Sequence, residues 1–261
     1  MAFHFFKRNR KIGLALGGGA ARGLAHIGVL KALSEAEIPI DYVAGTSVGS
    51  VIGALYCAGY PWFEIKEIAG HLNWGKLITP TIPVSGLAKT EKLEHFMEKL
   101  LKGKSFKDLS IPFCAVAVDI EKGREVLLRE GPVARAVQAS SSIPGIFEPT
   151  TIGGKILVDG GVINNVPSDV AREMGAGIVI AVDLNHYYPK TGTPKHILDI
   201  IYATMFIIMN NKSNRADKFS DYLVAPDLSR FSYYNLKNMD KLIKIGEKSV
   251  APYVEKLKKK L

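Results

Sequence analysis

The chain has 261 residues, 47% of them hydrophobic and 23% charged, and its 34 Lys and Arg outnumber 25 Asp and Glu for a formal charge of +9. Those proportions exclude a disordered tail, a collagen-like repeat and a disulfide-stapled miniprotein, and the length suits one α/β domain or two small ones. The surplus positive charge points to nucleic acid or to an anionic membrane surface. Cys57 and Cys114 stand far apart in apolar surroundings outside any C-x-x-C pair, and read as buried free thiols in a reducing compartment.

Short β-rich runs alternate with helix-period segments. Ile12–Leu16 reads as a strand, followed by a glycine-rich turn and a helix over 20–36 with Leu24, Ile27, Leu30 and Leu33 on one face. A strand over 42–44 precedes a helix over 48–58, and a third helical pattern covers 90–101. Residues 113–120 form the clearest strand, paired as a hairpin with 125–128 across a Glu-Lys-Gly turn. A short strand over 156–158 ends at Asp159-Gly160-Gly161, 178–184 is apolar on both faces like a central parallel strand, and 222–225 is the last strand. Helices near 197–216 and 239–258 close the chain. The alternation predicts one α/β domain with a mostly parallel sheet covered on both faces.

The longest apolar stretch, 200–209, is half the roughly 20 residues that a membrane span needs. Phe3, Phe5 and Phe6 precede Lys7, Arg8 and Arg10, the reverse of a secretory signal, so a cytoplasmic protein is expected. The segment 197–209 reads either as a helix packed on the sheet or as an exposed apolar helix used for a homodimer contact or for lipid. The N-terminal aromatics read as an interfacial foot or as a disordered end.

Gly45-Thr46-Ser47-Val48-Gly49 has the form G-x-S-x-G between a strand and a helix. A serine on such a turn is forced out at the top of the sheet, the glycines allow unusual backbone angles, and the helix N-terminus favours negative charge. Ser47 is therefore a candidate nucleophile, with a capping serine as the alternative. Gly17-Gly18-Gly19-Ala20-Ala21-Arg22-Gly23 also links a strand to a helix, yet matches neither a dinucleotide fingerprint nor a Walker loop. It reads as a tight turn or as a run of N–H groups for an oxyanion hole, with Arg22 adding charge or fixing the loop. A proton acceptor is needed next. His26 lies in the helix after the loop, His71 and His95 look like helix-surface residues, and His186 follows a strand end. Asp159 is the better candidate base, since it ends a strand and two glycines leave it unobstructed; its alternative is a simple turn aspartate. No H-E-x-x-H or similar metal-ligand cluster and no nucleic-acid motif are present, so neither a metal, a cofactor nor a nucleic-acid partner is expected.

Together with Ala139-Ser140-Ser141-Ser142-Ile143-Pro144-Gly145-Ile146-Phe147, these motifs resemble the patatin-like phospholipase family in its short bacterial form, over about 12–184. The resemblance implies a three-layer α/β/α fold over 12–238, between a basic tail at 1–11 and a basic C-terminal helix at 239–261 that packs on the domain or extends from it. It implies a serine lipid acyl hydrolase of phospholipase A, lysophospholipase or carboxylesterase type, or an acyltransferase or an inert regulatory protein of the same fold. Ser47 then acts as nucleophile and Asp159 as base, without a histidine. Gly17, Gly18, Gly19, Ala20 and Arg22 form the oxyanion loop, whose donors come from Gly18, Gly19 and Ala20. Gly45, Gly49, Gly160, Gly161 and Pro144 support these motifs. Ala20 stands where many members carry a third glycine, which leaves the N–H in place. The chemistry further predicts a partly buried Asp159, because desolvation is what would make a carboxylate basic enough.

The charge divides unevenly along the chain. Residues 1–12 hold four basic and no acidic side chains, residues 241–261 seven lysines against two glutamates, and the remainder 23 of each sign. The excess lies in two ends, which fits attraction of a lipid-acting protein to an anionic membrane.

Overall fold

A computed structural model describes residues 10–71, 79–80, 86–187, 200–201, 203–204, 207–208, 214–233 and 238–261. Five parallel strands carry the sheet: β1 (Ile12–Leu16), β2 (Tyr42–Thr46), β5 (Phe113–Asp119), β9 (Ile178–Val182) and β10 (Tyr222–Val224). Their spatial order is β10-β9-β1-β2-β5. The sheet then turns antiparallel through β8 (Lys155–Asp159) and β7 (Thr150–Ile152), while β6 (Arg124–Leu128) forms the expected hairpin with β5. Thr79–Pro80 (β3) and Ala88–Lys89 (β4) make a separate two-stranded ladder.

Side-chain alternation builds three layers. Ile12, Leu14, Leu16, Ile178, Ile180 and Val182 face the larger core with α1 (Leu24–Glu35), α2 (Val48–Cys57), α3 (Trp62–His71) and α4 (Glu91–Leu101). The smaller Ala15, Ala44, Cys114, Val179 and Ala181 face Val170 and Ala171 of the six-residue helix Ser168–Glu173, with Ala216 of Asn214–Phe219. Bulky side chains thus point to the thick layer and small ones to the thin layer. The C-terminal helix Met239–Lys258 packs onto α1, burying Leu242, Ile243 and Val250, with Lys31 paired to Glu247 at 3.0 Å.

The mostly parallel α/β reading holds, with corrections at particular places. Residues 20–23 form a 3-10 turn rather than the first turn of α1. The sequence reading passed over α3, the helix Val133–Ser140 and strand β7; the first shows only Ile65 and Ala69 buried, too weak a stripe to signal a helix. The segment 197–209 lies mostly outside the described residues, as does the N-terminal aromatic cluster.

Parallel strands give the sheet an entry edge and an exit edge. At the entry edge the Lys11 carbonyl takes the amides of Gly177 and Ile178, and Lys260 lies over the Tyr222 ring at 5.1 Å. Ser47 follows the last residue of β2, at the exit edge. The basic C-terminus therefore lies at the edge of the sheet away from Ser47.

Candidate active site

The elbow at Ser47 exists because a helix is pressed directly onto backbone. A Cβ at Gly45 would stand 2.6 Å from the Gly49 carbonyl oxygen, and one at Gly49 would collide with the carbonyl of Leu16. No larger residue fits either position. The chain reverses over one residue, Ser47, at φ 54° and ψ −126°, a conformation that L-residues adopt only under constraint. Its hydroxyl makes no capping bond to α2, so the capping alternative has no support in the geometry. Ser47 is 6% exposed, beside the N-terminus of α2.

Sheet register brings Asp159 to the same level. Thr46 pairs with Val116 on one side of β5, and Asp159 pairs with Ala117 on the other. Ser47 and Asp159 thus flank a single strand, a span of about 10 Å between backbones that two side chains can close. β8 runs antiparallel to β5 and ends beside the elbow. Gly160 then tucks under Thr46, where a Cβ would meet the Val116 carbonyl.

Asp159 is fully buried. Its Oδ1 accepts the Gly161 N–H at 2.8 Å, and its Oδ2 is buried without a hydrogen-bond partner among the described residues. Burial pushes its pKa up to about 6, while the nearby Ser47 hydroxyl and the Gly161 N–H pull it down. The Ser47 hydroxyl thus lies close enough to favour the charged carboxylate, without closing a hydrogen bond of standard geometry to Oδ2. One carboxylate oxygen is fixed and the other is left open, next to a serine.

The 140–145 segment, which shows no chemistry in sequence, ties the two together. Ser140 Oγ accepts the Ser47 N–H at 3.0 Å and donates to the Val116 carbonyl at 2.6 Å. The Ser142 carbonyl accepts the Asp159 N–H at 2.9 Å. The far side of the segment is held by β4, where Ala88 donates to the Ile146 carbonyl and accepts from the Glu148 N–H.

The glycine loop touches the elbow from the other side. A Cβ on Gly18 would stand 3.1 Å from Ser47 Cβ and 2.6 Å from Asn165 Oδ1. The Gly17 N–H donates to the Val182 carbonyl and the Gly18 N–H to the Asn165 carbonyl, each at 3.1 Å, so both are committed to holding the loop. No bond to a described residue uses the amides of Gly19 and Ala20. Ala20 has φ 48°, a left-handed conformation that explains why glycine suits the position. Arg22 is fully buried and turned away from the elbow: Nε and one terminal nitrogen donate to the Phe231 carbonyl, the other donates to the Tyr233 hydroxyl, and burial lowers its pKa. It fixes the loop rather than charging the site.

Three histidines make contacts elsewhere. His26 is fully buried under the loop with Nε2 at 2.8 Å from the Gly17 carbonyl. Burial pulls its pKa down to about 4, so it is neutral and donates from Nε2. His95 Nδ1 meets the Glu91 carbonyl on the exposed face of α4. His186 Nδ1 lies 3.8 Å from Asp183 Oδ2, which raises its pKa. Among the described residues none of these rings hydrogen-bonds Ser47. Asn165, Asn185 and Tyr233 escaped the sequence reading, because a lone amide or phenol has no spacing pattern to betray it.

A strained serine at a strand-to-helix elbow, a buried carboxylate with one open oxygen, and free loop amides are groups that can together carry out serine acyl transfer. Comparison with known proteins agrees in class. Residues 14–172 match the model of the patatin-like phospholipase family, and the chain belongs to that family. It is 40% identical over 183 residues to the human and mouse patatin-like phospholipase domain-containing protein 6, covering 66% of this chain and 13% of those proteins. It is 37% identical over 236 residues to a lysophospholipase of Aspergillus fumigatus, covering 87% of this chain and 15% of that one. An uncharacterized NTE family protein of Mycobacterium bovis is 35% identical over 184 residues, 67% of this chain and 49% of that one. The chain thus spans half or less of the length of these relatives. VipD from Legionella pneumophila shares the fold, with a TM-score of 0.62 at 13% identity over 95% of this chain and 67% of its own.

Proposed function

We propose that this chain is a serine lipid acyl hydrolase of the phospholipase A, lysophospholipase or carboxylesterase type. The observation that carries the reading is the buried, unpaired Asp159 Oδ2 beside the strained Ser47. Asp159 accepts the Ser47 proton as Oγ attacks an ester carbonyl. The tetrahedral oxyanion is met by the amides of Gly19 and Ala20, with the Val48 N–H at the start of α2 as a further donor. The alcohol leaves with the proton held by Asp159, and water then hydrolyses the acyl-enzyme by the same route in reverse.

The substrate is a lipid or related ester met at an interface. Ile200 and Ile207 are 55% and 47% exposed, while Ile201 of the same segment packs against Gly145, next to the segment that supports both Ser47 and Asp159. An apolar surface beside the site is suited to lipid contact. No helix among the described residues is long and apolar enough to cross a membrane, so this reading is of peripheral contact. Ile200→Asn with Ile207→Asn should lower turnover on phospholipid vesicles and spare a soluble ester; equal loss on both, or a shift from dimer to monomer, would reassign the surface.

The deciding experiment compares wild type with Ser47→Ala on a short-chain nitrophenyl ester and on a phospholipid. Turnover should vanish in the variant on both, and equal activity would refute the reading.

A further inference from the structure

The oxyanion loop is aimed by side chains, and one of them comes from the far end of β9. Asn185 is 1% exposed, and its Nδ2 donates to the Gly18 carbonyl at 3.0 Å. The Gly18 C=O and the Gly19 N–H belong to one trans peptide and point in opposite directions. Whatever holds that carbonyl therefore aims the Gly19 amide.

The amide of Asn185 is itself held in one orientation. Its backbone N–H donates to Asp183 Oδ1 at 2.9 Å, which fixes the turn. Its Oδ1 accepts from the Tyr233 hydroxyl at 3.3 Å, and that hydroxyl accepts from buried Arg22 at 2.9 Å. The Arg22 guanidinium also lies 4.0 Å from the Tyr233 ring centroid. A cation can only donate, so the phenol is left to donate onward, and Asn185 must present oxygen to Tyr233 and nitrogen to Gly18. The order of donors along Arg22, Tyr233, Asn185 and Gly18 is thereby set in one direction.

The neighbouring peptides are held in the same manner. His26 Nε2 takes the Gly17 carbonyl, which leaves the Gly18 N–H to Asn165, and the Arg22 N–H takes the Gly19 carbonyl, which turns out the Ala20 N–H. We infer that Asn185 is a positioning residue for the ester hydrolysis, orienting the Gly19 N–H as an oxyanion donor, and that Tyr233 sets the orientation of Asn185. This inference rests on the hydrolase reading given above.

The test uses the full chain with a nitrophenyl ester and an alkyl trifluoromethyl ketone, whose hydrate-like adduct with Ser47 carries an oxyanion. A donor that acts on developing charge contributes to the transition state and not to the bound ester. Asn185→Ala should lower kcat about 10²-fold, the low end for loss of one such donor, with KM within about 2-fold. Its affinity for the ketone should fall in parallel with kcat. Tyr233→Phe keeps the ring against Arg22 and removes only the hydroxyl, and should lower kcat by about 3- to 10-fold at unchanged KM, the size expected for one hydrogen bond. If Asn185→Ala does not fold, Tyr233→Phe and the isosteric Asn185→Asp carry the same readouts, since a carboxylate has no hydrogen to give the Gly18 carbonyl. A folded Asn185→Ala with kcat within 3-fold of wild type, or with unchanged ketone affinity, would overturn the inference while Ser47→Ala still abolished turnover. Equal turnover in wild type and Ser47→Ala would instead overturn the hydrolase reading and this inference with it.

Discussion

The backbone amide of Ser47 donates to Ser140 Oγ, and the two residues are 93 positions apart in the chain. The bond is unusual for what it replaces. A residue at φ 54° cannot direct its N–H into a regular ladder, and a buried amide left alone costs on the order of 1–3 kcal/mol. Ser140 answers that amide and passes its own hydrogen to Val116, the residue level with the elbow. Ser140→Ala strands both groups. The variant should lose about 1–3 kcal/mol of stability by denaturant unfolding, and kcat should fall more than about 10-fold, because the strained elbow relaxes. Ser141→Ala serves as the control, since Ser141 Oγ has no hydrogen-bond partner among the described residues, and a comparable loss there would refute the special role of Ser140.

The proposed role of Asp159 as base gives the proposed activity a pH signature. A base works only when deprotonated, and burial places its pKa at about 6. The log of kcat/KM should rise with unit slope below that pH and level off above it. Asp159→Asn should lower kcat by at least about 10³-fold, since the amide keeps the Gly161 contact but cannot accept the proton. His186→Ala should leave the acid limb in place. If His186→Ala abolished turnover and Asp159→Asn kept it, the base would be the histidine and the site a triad.

The same burial shapes stability through two groups of opposite sign. Asp159 is raised from 3.8 to about 6, so the folded state holds its proton more tightly and stability is lost as pH rises through that window. His26 is lowered from 6.5 to about 4, so the unfolded state takes up the proton first and stability is lost as pH falls through nearly the same window. Each shift corresponds to on the order of 3 kcal/mol, and the two oppose each other. Wild type should therefore show a shallow dependence between pH 4 and 6.5 from this pair. Asp159→Asn should be more stable than wild type at pH 7 and should lose stability on acidification; His26→Gln should show the reverse slope. Parallel slopes in the two variants, from urea midpoints at matched pH, would contradict the assignment.

The central strands, the elbow and the Asp-Gly-Gly turn were all legible in the sequence, because each is a local pattern. Alternation of Ile12, Leu14 and Leu16 with smaller residues announces a strand, and glycines at 45 and 49 announce backbone pressed on backbone. Burial of Asp159 could be anticipated from what the chemistry needs. Reversal of β8 could not, since a short apolar run does not state its direction, nor could the register that puts Asp159 level with Ser47. Nor could the Asn185 and Tyr233 contacts, which depend on residues more than 160 positions from the loop that they hold. The charge of the C-terminal lysines is visible in composition, but their place at the edge of the sheet away from Ser47 shows only in the packing of Lys260 on Tyr222.

Strain at Ser47, the proposed nucleophile, predicts a trade between stability and activity. A non-glycine residue at φ 54° and ψ −126° carries about 1–3 kcal/mol of conformational cost, which the surrounding packing sustains. Ser47→Ala removes the hydroxyl and keeps the Cβ, so the cost stays. Ser47→Gly removes both, and the gain is offset by about 0.5–1 kcal/mol of extra entropy in the unfolded chain. Ser47→Gly should therefore be more stable than Ser47→Ala by about 1 kcal/mol, and both should be inactive. At almost any other buried, normally configured position the order is reversed, with alanine the more stable. Finding alanine the more stable here, by thermal or denaturant unfolding at one pH, would show that the elbow is unstrained and that Ser47 is held out by its neighbours alone.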